Sequence, residues 1–127
     1  MATYQAVSTV SRVAGSAITI YRFVAFSSAD SKYDHVGTAQ ARIDGISAEG
    51  VAADGDVFPM VVPNGAIVKV EAGAAVTLGG LVGSDTSGRA IDAVSTANNW
   101  TAGIALTAAA AAGEIIEIQF IVDRDQA

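Results

Sequence analysis

Hydrophobic and polar positions alternate with period two in the most sharply patterned stretch of the chain. Across residues 115–122, Ile116, Ile118, Phe120 and Val122 fall on one side, and Ile115, Glu117, Gln119 and Ile121 fall on the other. Successive side chains of a β-strand point to opposite faces, so this stretch predicts a strand with one wholly apolar face. Residues 66–70 form a second run rich in β-branched side chains, and residues 18–26 a third. Pro63-Asn64-Gly65 stands between two such runs and reads as a hairpin turn. Ser84-Asp85-Thr86-Ser87-Gly88 reads as a loop tip. Alanine-rich residues 107–112 suit either one helical turn or a tight connection ended by Gly113. Glycines every few residues argue against longer helices. The pattern predicts an all-β fold, a small β-barrel or sandwich with at most short helical turns.

The chain also repeats itself once. Gly45-Ile46-Ser47-Ala48 followed by Ala52-Ala53-Asp54-Gly55-Asp56 recurs as Gly103-Ile104-Ala105-Leu106 followed by Ala110-Ala111-Ala112-Gly113-Glu114. The offset is 58 residues, the distance from Gly45 to Gly103, and it also pairs Ala17-Ile18-Thr19-Ile20 with Ala75-Val76-Thr77-Leu78. Matched glycines carry more weight than matched alanines, because a glycine marks a backbone position with special needs. The alignment predicts an arm over residues 1–13 that orders on a partner. A single domain follows over residues 14–127, built from copies at 14–69 and 72–127. Each copy is near the lower limit for independent folding. Two halves sharing one core, related by an approximate two-fold, are therefore expected.

The copies differ where contacts are made. Tyr21-Arg22-Phe23 stands against Gly79-Gly80-Leu81, Phe26 against Ser84, Lys32-Tyr33 against Ala90-Ile91, and His35 against Ala93. Aromatic residues and arginine are enriched at protein interfaces. The first copy is thus a candidate contact face, although Phe23 and Phe26 would serve equally as core.

Composition narrows the functions available. The chain has 127 residues, 51% apolar but only 6% aromatic, so its core is rich in alanine and gains from burial in an assembly. Net charge is -6, with basic residues scattered at Arg12, Arg22, Lys32, Arg42, Lys69, Arg89 and Arg124. No basic stripe exists to grip phosphates or an anionic membrane surface, so neither nucleic acid nor membrane is an expected partner. With no cysteine there is no disulfide, thiolate metal site or thiol nucleophile. No apolar run reaches the roughly 18 residues of a membrane span. The start, Met1-Ala2-Thr3-Tyr4-Gln5, lacks the character of a secretory leader.

Candidate chemistry is sparse. His35 is the only histidine, and a triad needs a positioned base beside its nucleophile. In Tyr33-Asp34-His35-Val36 it reads as a loop or strand-edge residue, at the surface or in contact with a partner. Gly45-Ile46-Ser47-Ala48-Glu49-Gly50 misses the G-x-S-x-G elbow by one position. Asp54-Gly55-Asp56 lacks the order of an EF-hand loop, and Glu114 occupies the same slot as Asp56, which reads as a solvated start to a strand. Gly79-Gly80-Leu81-Val82-Gly83 lacks the lysine and hydroxyl of a phosphate loop. No catalytic residue, cofactor or metal site is expected.

Val70-Glu71-Ala72-Gly73-Ala74-Ala75-Val76-Thr77 precedes a glycine-rich stretch and then Asp85-Thr86-Ser87-Gly88. Ala102-Gly103-Ile104-Ala105-Leu106 and Ala111-Ala112-Gly113-Glu114 then lead into the last strand. This arrangement resembles the capsid cement, or head decoration, proteins of tailed phages, over roughly residues 14–122. The resemblance implies a β-rich protein made in the host cytoplasm and attached to the outer surface of the virion head. It implies the major capsid protein and further copies of the chain as partners, as a homotrimer or else a dimer, without catalysis. Expected capsid or subunit contacts are Thr3, Tyr4, Gln5, Val7 and Arg12 of the arm, with Tyr21, Arg22, Tyr33 and His35 of the first copy. The alternatives are another virion part (tail tube, fibre base or minor head protein) or a small binding module or enzyme with a deep pocket.

Overall fold

A computed structural model describes residues 7–93 and 99–124. Among them are ten strands and no helix. β1 (Thr9–Val13), β2 (Phe23–Ser27), β3 (Lys32–His35), β4 (Gly45–Ser47) and β5 (Val57–Val61) make one antiparallel sheet in the order β1-β5-β4-β2-β3. β6 (Ile67–Glu71), β7 (Leu81–Ser84), β8 (Ala90–Asp92), β9 (Trp100–Ala105) and β10 (Ile115–Arg124) make a second in the order β6-β10-β9-β7-β8. The orders match strand for strand. β10 shows the expected alternation, with Ile116, Ile118 and Phe120 buried and Ile115, Glu117 and Gln119 exposed. In each half the first and third strands approach at one end, through the bridges Ala14↔Tyr33 and Ala72↔Ala90. Neither sheet closes into a barrel.

The duplication reaches down to single hydrogen bonds. Ala14 N–H donates to Asp56 O and Ala72 N–H to Glu114 O, both at 2.8 Å. Tyr21 N–H donates to Ser47 O and Gly79 N–H to Ala105 O, at 2.9 and 2.8 Å. Ile18 pairs with Val51 as Val76 pairs with Ala109. Gly45 and Gly103 are held by close approach: a Cβ on Gly45 would strike Met60, and one on Gly103, whose φ is +118°, would strike Gln119 O.

Several sequence expectations are corrected here. β1 takes the place of β6, so each copy begins at its edge strand. Residues 9–13 belong to the first copy, and residues 67–71 open the second instead of closing the first. The weak polarity pattern of Thr9–Val13 hid a strand that needs only one partner. Pro63-Asn64-Gly65 is no hairpin, because β5 and β6 lie in different sheets; it is the link between halves. Asn64 Oδ1 accepts the Ala66 N–H at 3.1 Å, and Gly65, with φ +87°, donates to Phe120 O at 2.9 Å. The run 18–26 is broken by Tyr21 at φ 63°, so only Phe23–Ser27 is strand. Residues 107–112 form no helix: Leu106 and Thr107 donate to Glu117 O, and Ala109 bridges to Val76. The 84–88 segment is a tight turn between β7 and β8 whose Gly88 is buried under Phe23, which donates its N–H to Gly88 O at 2.6 Å.

One apolar cluster runs through both halves, joining Phe23, Val36, Ile43, Ile46 and Val61 to Val68, Val70, Val82, Ile116, Ile118 and Phe120. A smaller one, with Ala14, Ile18, Val24, Phe58 and Met60, stays inside the first half. The contact between halves is not two-fold. A two-fold would bury the same patch on each half. Here Phe23 and Ile46 are buried, while their counterparts Leu81 and Ile104 are exposed.

Candidate contact surfaces

The sequence-predicted contact residues fall in two places. Thr3, Tyr4 and Gln5 lie outside the described residues. Arg12 on β1 sets its guanidinium over the ring of Tyr33 on β3, 5.4 Å from the ring centre. Phe26, directly opposite Tyr33, meets that ring edge-on at 5.5 Å. These three make a half-exposed aromatic and cationic surface at one end of the first sheet. Arg12 Nε is buried in it without a hydrogen-bond partner.

Tyr21 and Arg22 lie instead at the junction between halves. Tyr21 O accepts the Glu71 N–H at 2.9 Å. Arg22 donates to Ser87 O at 3.1 Å and pairs with Glu71 at 3.3 Å, both side chains mostly buried. Arg89 approaches Glu71 at 3.8 Å and pairs with Asp85 at 3.3 Å. Val7 lies exposed at the rim of an open, largely apolar groove of about 240 Å³ between the halves, with Tyr21, Ile46, Val61, Ile67 and Lys69.

His35 is half-buried. Its Nε2 accepts the Thr19 N–H at 3.0 Å. The second half does the same with Asp92, whose Oδ1 accepts the Thr77 N–H at 2.9 Å. The β7–β8 hairpin is one residue shorter than β2–β3, so the true counterpart of His35 is Asp92, not Ala93. Burial, and then the Arg22 guanidinium, lower the His35 pKa from its ordinary 6.5, against the pull of Asp34. The shared slot makes His35 a backbone acceptor that any good acceptor could replace.

The acids have local work too. Asp56 accepts the Ala53 N–H at 3.1 Å, and Glu114 accepts those of Ala110 and Ala111 at 2.8 and 2.7 Å, so both close the turn before the last strand of their half. Among the described residues no three His, Asp or Glu side chains gather as a metal site. The sequence reading missed a different feature, the outer face of the second sheet. There Ile67, Leu81, Ile104 and Leu106 stand exposed together. Their alignment with Phe23 and Ile46 was the available signal.

Comparison with known proteins gives one family and one fold. A family model described as phage cement protein matches residues 2–120. No curated protein matches the chain. The fold is similar to the crystal structure of the head fiber gp8.5 N base in bacteriophage phi29, with a TM-score of 0.71 and 21% identity over 91% of this chain and 94% of that one.

Proposed function

Since the chain belongs to the phage cement protein family, we propose that it decorates the outer surface of the expanded phage head by binding the major capsid protein, and that it stabilises the shell. The single observation that carries this is the family match over residues 2–120. The family is one of structural virion proteins, and an absence of enzymatic activity follows from this reading. A protein that binds only the assembled shell stabilises it by mass action. Repetition across the lattice multiplies modest contacts. A net charge of -6 suits the outside of the shell, away from packaged DNA.

The protein acts in this reading as a homotrimer, made in the host cytoplasm, with a dimer as the alternative. In this reading Thr3, Tyr4 and Gln5 contact the shell, and Val7 at the groove and Arg12 and Tyr33 at the sheet end serve as capsid or subunit contacts. Tyr21, Arg22 and His35 shape the fold behind that surface. A second reading, the base of a fibre on the head, is favoured by the fold shared with the phi29 protein.

The test is binding to matching heads that lack the protein, followed by pelleting and electron microscopy. Saturable binding to expanded heads, little to unexpanded proheads, and greater resistance to heat are the expected results. No binding at micromolar protein overturns the decoration reading. Projecting density longer than this domain would favour the fibre base.

A further inference from the structure

The link between the halves carries a reactive pair. The asparagines of the chain are Asn64, Asn98 and Asn99, followed in turn by glycine, asparagine and tryptophan. An asparagine carboxamide is open to attack by the backbone nitrogen of the next residue. Glycine hinders that attack least, because it has no Cβ and turns freely. Asn64-Gly65 is therefore the pair that the sequence favours for this reaction. It lies on the connection between the two sheets, after β5 ends at Val61 and before β6 begins at Ile67. Both residues are half-buried, and a Cβ on Gly65 would meet nothing within 4 Å, so water reaches the link.

Two hydrogen bonds act on the pair in opposite senses. Ala66 N–H donates to Asn64 Oδ1 at 3.1 Å. That oxygen gains negative charge when Asn64 Cγ is attacked, so a donor on it favours the reaction. On the other side, Gly65 N–H donates to Phe120 O at 2.9 Å, and Phe120 N–H donates to Ala66 O at 3.0 Å. Attack needs the Gly65 nitrogen to lose its proton and turn onto Cγ. Both are opposed while that proton is held on Phe120 O and the next peptide is pinned beside it. Phe120 is itself fully buried, its ring 6.3 Å from that of Phe23 in the other half.

We propose that Asn64 is a site of spontaneous deamidation, gated by the pairing of the link with Phe120. Gly65 N forms a bond to Asn64 Cγ, and the carboxamide C–N bond breaks. The side-chain nitrogen leaves as ammonia with the proton that Gly65 gives up, and a cyclic succinimide remains. Solvent water then opens either carbonyl, leaving aspartate or isoaspartate at position 64. Either product adds a negative charge. Isoaspartate also lengthens the backbone, so Gly65 and Phe120 no longer pair in register. The modification thus marks copies in which the link has come away from β10. The proposal is independent of what the protein attaches to.

The test incubates the protein at mildly alkaline pH, folded in buffer and unfolded in urea. The peptide holding residue 64 is followed by mass spectrometry, and isoaspartate is counted by enzymatic methylation. The folded protein should react about tenfold or more slowly than the unfolded one, because reaction waits on local opening. In the unfolded chain, Asn98 and Asn99 should lag behind Asn64. Phe23→Ala, which loosens the packing of Phe120, should raise the folded rate and leave the unfolded rate unchanged. Amide hydrogen exchange at Gly65 in the wild type is the second measure, and stands even where that variant fails to fold. Its proton should be protected in the fold. A Gly65 amide that exchanges as in the unfolded chain overturns the gate, as do equal folded and unfolded reaction rates or a folded variant that reacts no faster than wild type. An Asn64 that stays intact in the unfolded chain overturns the site itself.

Discussion

Ser47 is fully buried on β4, and its hydroxyl is occupied twice. It donates to Thr19 O at 2.6 Å and accepts the Arg22 N–H at 3.1 Å. The second half has Ala105 there and turns through Gly79-Gly80, where Gly80 N–H closes onto Thr77 O at 3.1 Å. Tyr21-Arg22 makes no such closure, so the serine supplies it. Ser47→Ala should cost about 1–3 kcal/mol, the usual penalty for stranding buried polar groups, measured by chemical denaturation. No change would mean the loop re-forms the second-half geometry unaided. His35 carries a pH term. Its lowered pKa means the folded state prefers neutral imidazole, so the contribution is whole above pH 6.5 and is lost as pH falls through the folded-state value. Between pH 7.5 and 5, His35→Gln should lose less thermal stability than the wild type. Parallel curves for the two proteins would remove His35 from the acid response.

At the level of elements, two ion pairs differ in kind, one crossing the junction between halves and the other lying within the first half. Arg22 and Glu71 are 17% and 19% exposed and tie the β2 start to the β6 end. Glu71→Gln should cost about 1–2 kcal/mol, since it strands a mostly buried guanidinium. Lys32 and Asp54 approach more closely, at 2.6 Å, but Asp54 is 63% exposed. Asp54→Asn should leave the unfolding midpoint unchanged, as solvent and salt screen such a pair. If the two substitutions cost the same, burial at the junction is not what gives the Arg22 pair its weight.

For the molecule as a whole, the shared cluster couples the halves. Phe23 sits on the first sheet and reaches Phe120 on the second. Phe23→Ala should cost about 3–5 kcal/mol, typical of a large buried aromatic, and should lower the stability of both halves together. Trp100, the only tryptophan, stands on β9 and reports the second half. Its fluorescence and the far-UV circular dichroism should unfold in one coincident transition, shifted equally by Phe23→Ala. A Trp100 transition that stays in place while the dichroism splits would mean the halves fold separately.

The sequence alone determined the all-β class, the alternation of β10 and the two-copy plan, because period-two patterning and matched glycines are local properties of the chain. It placed Asp56 and Glu114 in one slot for the same reason. It could not place the copy boundary, because an edge strand such as Thr9–Val13 needs little apolar pattern, and the pairing that reveals it is with residues some 50 positions away. It misaligned His35, because a one-residue change in a hairpin leaves no mark except in register. Which copy of a repeated face is buried lies beyond sequence altogether. Phe23 and Leu81, or Ile46 and Ile104, are equally apolar, and only the head-to-tail packing of the halves covers one pair and bares the other.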